Sequence, residues 1–115
     1  MFAELAESQR TRCLLHGDLH QANILFDDQR GWLAIDPKGV VGEPAYEFGA
    51  MLRNPKVELA KRRVAIIAER LGLDRKRVEA WAYAQAVLSA VWCIEDGDDP
   101  TRAIEASKLL IRVLA

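Results

Sequence analysis

Two short apolar runs, Ile24-Leu25-Phe26 and Trp32-Leu33-Ala34-Ile35, flank the polar stretch Asp27-Asp28-Gln29-Arg30-Gly31. Strand formers on either side of turn residues predict a β-hairpin. Folded about the point between Gln29 and Arg30, it sets residue 24 opposite 35 and residue 23 opposite 36. Directly opposed residues lie roughly 4.5–5.5 Å apart at their α-carbons, so Asn23 and Asp36 are expected to meet at the open mouth. Pro37 should hold Asp36 extended and end the ladder.

The period then changes. Lys38 to Pro44 contains glycines and ends in a proline, which predicts a loop, and Ala45 to Arg53 a short helix stopped by Asn54-Pro55. Val57, Ala60, Val64, Ile67, Ala68 and Leu71 fall at helical spacing, giving an amphipathic helix over 56–71 that ends at Gly72. Asp74 is placed to cap a helix from Arg75 to about Ile94. Asp99 before Pro100 opens a last helix that runs to Leu114. Phe2 to Arg10 reads as the end of one more. The fold class is α+β, mainly helical: a hairpin followed by about four helices.

The 80–94 run is apolar nearly all round but falls short of the roughly 20 residues that span a bilayer. It is expected to be a central core helix with no membrane role and with Trp81 and Trp92 in the packing, unless a helix face bordering a cleft exposes one of them. The chain has 115 residues and a net charge of −1, which fits one domain with no global pull toward nucleic acid. Residues 56–77 carry eight basic against three acidic side chains, read as a solvated helical face because no aromatics are interleaved. Cys13 and Cys93 lack metal or redox spacing and are expected as reduced, mostly buried thiols. No signal peptide is evident, so a cytoplasmic protein is expected.

The candidate chemistry lies at the hairpin. Asp18, Asn23 and Asp36 follow the order of a kinase catalytic loop: a base Asp, then a metal-binding Asn, then a metal-binding Asp. An acceptor hydroxyl needs a carboxylate to orient it and take its proton. Magnesium on the phosphates takes hard oxygen ligands, which a carboxylate and an amide carbonyl supply. His16, Asp18 and His20 alternate and would also suit a metal cluster, but the Asn23 and Asp36 pattern favours the kinase reading.

The run His16-Gly17-Asp18-Leu19-His20-x-x-Asn23-Ile24-Leu25, with Ile35-Asp36-Pro37-Lys38-Gly39 and Gly42-Glu43-Pro44-Ala45-Tyr46-Glu47, resembles the aminoglycoside phosphotransferase family. Within it, the similarity is to the streptomycin 6-kinase-like branch of aminoglycoside/hydroxyurea antibiotic-resistance kinases. The resemblance implies Asp18 as catalytic base, His16 as a brace of the loop, and Asn23 with Asp36 as Mg2+ ligands. ATP is implied as donor and a small-molecule hydroxyl, such as one on streptomycin, as acceptor. Glu43 and Glu47 are candidates for acceptor contacts. Asp96 and Asp98, beside Glu95 and Asp99, would either attract a polycationic acceptor or simply form a helix-connecting turn. Gly17 stands where protein kinases usually have Arg, and Pro37-Lys38 replaces their Phe-Gly, which favours a small-molecule kinase.

Kinase-like folds of this kind clamp the nucleotide between two lobes. Only about a dozen residues precede the loop, and no glycine-rich phosphate loop occurs in the chain. Lys38 follows Asp36 and so cannot serve as the strand Lys. The chain is therefore expected to be the C-terminal catalytic lobe without its nucleotide-binding N-terminal lobe, and a poor or inactive kinase by itself. The alternative is a non-catalytic lobe acting as a binding module. Its uncovered face would promote a homodimer or domain swap.

Overall fold

The computed structural model describes residues 2–53 and 56–114. Helix α1 (Phe2–Glu7) leads into strand β1 (Cys13–Leu15), and a 3-10 turn (Gln21–Asn23) precedes β2 (Ile24–Asp27) and β3 (Gly31–Ala34). Strand β4 (Val40–Gly42) and a second 3-10 turn (Pro44–Phe48) lead to α2 (Gly49–Arg53). A third turn (Val57–Leu59) opens α3 (Ala60–Leu71), followed by α4 (Arg75–Glu95) and α5 (Thr101–Leu114). The architecture is α+β, with four helices after the hairpin among the described residues.

The helix ends are where local chemistry places them. Gly72 takes the left-handed conformation (φ 64°) that closes α3, and its N–H returns to Ala68 O. Asp74 accepts from Arg77 N–H at the start of α4, and Asp99 accepts from Thr101 N–H before α5. The expected stop at Asn54-Pro55 lies outside the described residues.

Helix α4 is the centre of the body and touches α1, α2, α3 and α5. It contributes Trp81 and Val78 to the largest fully buried side chains, with Leu52, Val64 and Leu110 from the other helices. Phe2 and Tyr46 meet the Trp81 ring edge-on at 5.4 and 5.2 Å. The last turns of α4 depart from the expected all-round burial: Val91, Trp92 and Ile94 are exposed. Trp92 is thus a surface residue. Among the described residues no helix is long and apolar enough to cross a membrane.

Two features of the β region correct the sequence reading. Residues 40–42 are not loop but a strand, pairing antiparallel with β1 as Cys13↔Gly42, Leu14↔Val41 and Leu15↔Val40. Cys13, the first residue of β1, is exposed rather than buried; Cys93 is half-buried and both thiols are free. The hairpin, in turn, is in register Ile24↔Ala34 through Asp27↔Gly31, one residue off the expected pairing. Its cause is the turn. Asp27 Oδ1 accepts from both Gln29 N–H (2.8 Å) and Arg30 N–H (2.9 Å), and Gly31 adopts φ 78°. That is a three-residue loop centred on Gln29, ended by a left-handed glycine.

Candidate active site

The new register puts Asn23 opposite Ile35, whose N–H donates to Asn23 O at 2.8 Å. Asp36 falls one residue beyond this rung. Its φ of 54° is left-handed, not the extended geometry expected before Pro37. The chain has to turn there, because Lys38 N–H and Gly39 N–H both reach back to His16 O (2.7 and 3.1 Å). Asp is among the few non-glycine residues that tolerate this conformation.

His16 fastens the two sides. Its Nδ1 accepts from Asp18 N–H (3.1 Å), so the ring carries its proton on Nε2 and donates it to Ile35 O (2.6 Å). Glu47 completes the anchoring from the second 3-10 turn. Its carboxylate accepts from His16 N–H (2.7 Å) and Gly17 N–H (3.0 Å). Gly17 has φ 88°, and a β-carbon there would meet Val40 Cγ2 at 2.7 Å; only glycine fits.

Between these anchors Asp18 and Asn23 come together. Asn23 is buried, and its Nδ2 donates to Asp18 O (2.9 Å) and approaches Asp18 Oδ2 (3.4 Å). That orientation leaves Asn23 Oδ1 with no hydrogen bond from the described residues. A free amide carbonyl is the hard oxygen donor a magnesium ion takes. The Asp36 carboxylate, exposed and with no hydrogen-bond or ion-pair partner among the described residues, supplies a second such donor, so the residues present fit the ion. His20 Nδ1 accepts from Ala22 N–H (3.2 Å), and its Nε2 lies 3.3 Å from Asn23 Nδ2 and 3.7 Å from Asp18 Oδ2. Lys38 Nζ lies 3.9 Å from the same oxygen. Among the described residues no group of three or more His, Cys, Asp or Glu side chains is arranged to hold a metal ion.

The other expected contacts sit elsewhere. Glu43 is buried and accepts from Arg77 Nε (3.0 Å to each oxygen), Arg77 Nη2 and Trp81 Nε1 (2.5 Å). Burial alone would raise its pKa, but the hydrogen bonds from Arg77 and Trp81 and the guanidinium charge bring it below the ordinary value. Glu43 ties α4 to the loop, and Glu47 ties that loop to the turn at residues 16–18. Both carboxylates already accept from the protein's own donors. Asp96 and Asp98 are exposed in the α4–α5 turn, where their N–H groups bond to Trp92 O and Cys93 O. The sequence reading missed Lys38 beside Asp18, because that proximity depends on the return of the chain to His16 O.

A buried Asn hydrogen-bonded to a half-open Asp, with a second Asp at the hairpin mouth, agrees in residue type and order with a kinase catalytic loop. Residues 1–97 match the profile of the aminoglycoside/hydroxyurea antibiotic resistance kinase family, and the chain belongs to that family. It is 39% identical over 105 residues to a streptomycin 3''-kinase of Klebsiella pneumoniae, covering 82% of this chain and 40% of that protein. It is 35% identical to a streptomycin 6-kinase of Streptomyces glaucescens, covering 84% of this chain and 35% of the relative. A hydroxyurea phosphotransferase of Kitasatospora aureofaciens is also 35% identical, over 95% of this chain and 33% of the relative. The chain thus spans 33–40% of the length of these relatives. No solved structure matches it.

Proposed function

We propose that the chain is the C-terminal catalytic lobe of a kinase-like enzyme that transfers the ATP γ-phosphoryl group to a small-molecule hydroxyl. An aminoglycoside such as streptomycin is the acceptor this reading favours, in keeping with the named activities of two relatives. The observation that carries it is the Asp18–Asn23 clamp, which leaves a carboxylate and an amide oxygen available side by side. Asp18 orients the acceptor hydroxyl and takes its proton as the new O–P bond forms. Asn23 and Asp36 would hold Mg2+, which when bound would supply neutralisation of charge on the phosphates. Asp96 and Asp98 suit the ammonium groups of a polycationic acceptor. The nucleotide-binding lobe lies outside this chain, which alone turns over poorly, and the enzyme works in the cytoplasm.

The test is turnover of Mg·ATP with streptomycin by the full-length protein. Asp18→Asn should lower kcat by about 10²–10⁴ while sparing nucleotide affinity. Asp36→Ala should weaken Mg·ATP binding itself, read by calorimetry. If both variants behave as wild type, the reading falls.

A second reading, a self-associating lobe, draws on a different observation. Leu14 and Val41 form an exposed cross-strand pair on the β1–β4 sheet, and Phe26 and Trp32 stack edge-on in the open on the hairpin at 5.2 Å. Exposed apolar surface of this kind favours association. A concentration-independent monomer in sedimentation removes this reading.

A further inference from the structure

The two departures of this chain from the protein-kinase signature, Gly17 and Pro37-Lys38, meet in space. A β-carbon on Gly17 would lie 3.3 Å from Lys38 Cβ, so the missing side chain at 17 is the room through which the lysine stem passes. The Lys38 and Gly39 amides, both bonded to His16 O, fix the start of that stem. Its ammonium ends 3.9 Å from Asp18 Oδ2 with the side chain 68% exposed. An exposed pair at that distance contributes little to stability, so a structural strut is a poor account of it. Its place beside the base needs another reason.

Distances supply one. A base within hydrogen-bond reach of the acceptor hydroxyl is about 2.6–3.2 Å from its oxygen. That oxygen is in turn about 3–3.5 Å from the phosphorus it attacks. The transferred group therefore sits within roughly 7 Å of Asp18 Oδ2, inside the sweep of a flexible lysine side chain anchored where Lys38 is. His20 brings only a ring nitrogen toward the same carboxylate, at 3.7 Å. Among the described residues Lys38 is the ammonium in reach of Asp18.

We propose that Lys38 is a catalytic residue, resting on the phosphotransfer reading above: its ammonium leaves Asp18 and binds an equatorial oxygen of the γ-phosphoryl group in flight. The acceptor oxygen forms a bond to phosphorus, and its proton goes to the Asp18 carboxylate. The bond between phosphorus and the β–γ bridging oxygen breaks, and its electron pair leaves with ADP. Lys38 stays protonated throughout and stabilises charge that builds up only as the group transfers.

The experiment uses the full-length protein with Mg·ATP and streptomycin, and Lys38→Ala, Lys38→Arg and Asp18→Asn as variants. Lys38→Ala is expected to lower kcat by about 10²–10³ with both KM values close to wild type, and Lys38→Arg to recover part of it. In parallel, an acyl phosphate of ATP, which acylates amines next to its γ-phosphoryl group, should modify Lys38 and be blocked by excess ATP. Unchanged kcat in Lys38→Ala, or acylation of other lysines with Lys38 untouched, overturns the proposal while an inactive Asp18→Asn keeps the phosphotransfer reading. A fully active Asp18→Asn, or a wild type that neither turns over nor is acylated, overturns that reading and the proposal together.

Discussion

Around α4 the chain is held by apolar side chains: Trp81, Leu52, Val64, Val78 and Leu110 are each almost completely out of water. From His16 to Gly39 little apolar surface is buried, and Leu25, Phe26 and Trp32 face solvent. That region is held by a polar lattice instead, in which Glu47, the His16 ring and Asn23 take up backbone N–H and C=O groups one by one. A hydrophobic core tolerates small shifts, because burial has no preferred direction. A lattice of directed hydrogen bonds does not. Placing the Asp18 carboxylate in the second kind of structure fixes its position without covering it.

The hardest test of this contrast is Trp81→Ala, which removes the central ring and the donor to Glu43. It should cost about 3–5 kcal/mol and unfold the body cooperatively, read by denaturant titration. Glu47→Ala should act on the other region. Leaving the His16 and Gly17 amides without their acceptor costs about 1–3 kcal/mol. The loss should appear as faster hydrogen exchange at residues 16–18 and as lost turnover, with α4 amides still protected. If Glu47→Ala instead melts α4 as fully as Trp81→Ala does, the two regions are one cooperative unit and the contrast is wrong.

Acid sharpens the boundary between them. Glu43 bridges the loop to Arg77 and Trp81, and its pKa is held below the ordinary 4.5. A carboxylate depressed in the folded state gives stability that is complete above the unfolded value. It is lost as pH falls through the folded value. Wild-type stability should therefore decline below about pH 4.5, and Glu43→Gln should be less stable at neutral pH with a shallower acid limb in pH-dependent melting.

The same division decides what could be read from the sequence. The ends of α3, α4 and α5 were legible at Gly72, Asp74 and Asp99, because a cap is made by residues within one turn of each other. The β1–β4 pairing was not. It joins three-residue strands far apart in the sequence, and three residues carry no usable period. The hairpin was visible, but its register depended on loop parity, set by one carboxylate holding two amides at Asp27. At the candidate site, the sequence singles out Asp18, Asn23 and Asp36, and the structure brings Asp18 and Asn23 into contact. The placement of Glu47 and Lys38 was hidden, since both depend on contacts to the backbone of His16 and Gly17 made by distant loops.

The three tryptophans of the chain end up in three different surroundings. Trp32 stands 72% exposed on the hairpin tip, Trp81 is sealed in the core with its indole N–H on a carboxylate, and Trp92 lies half open near the end of α4. The protein thus carries its own optical gauges. An aqueous quencher such as iodide would dim Trp32 first and leave Trp81 lit, so emission colour and quenching together would report on the hairpin and the helical body separately, without any attached label.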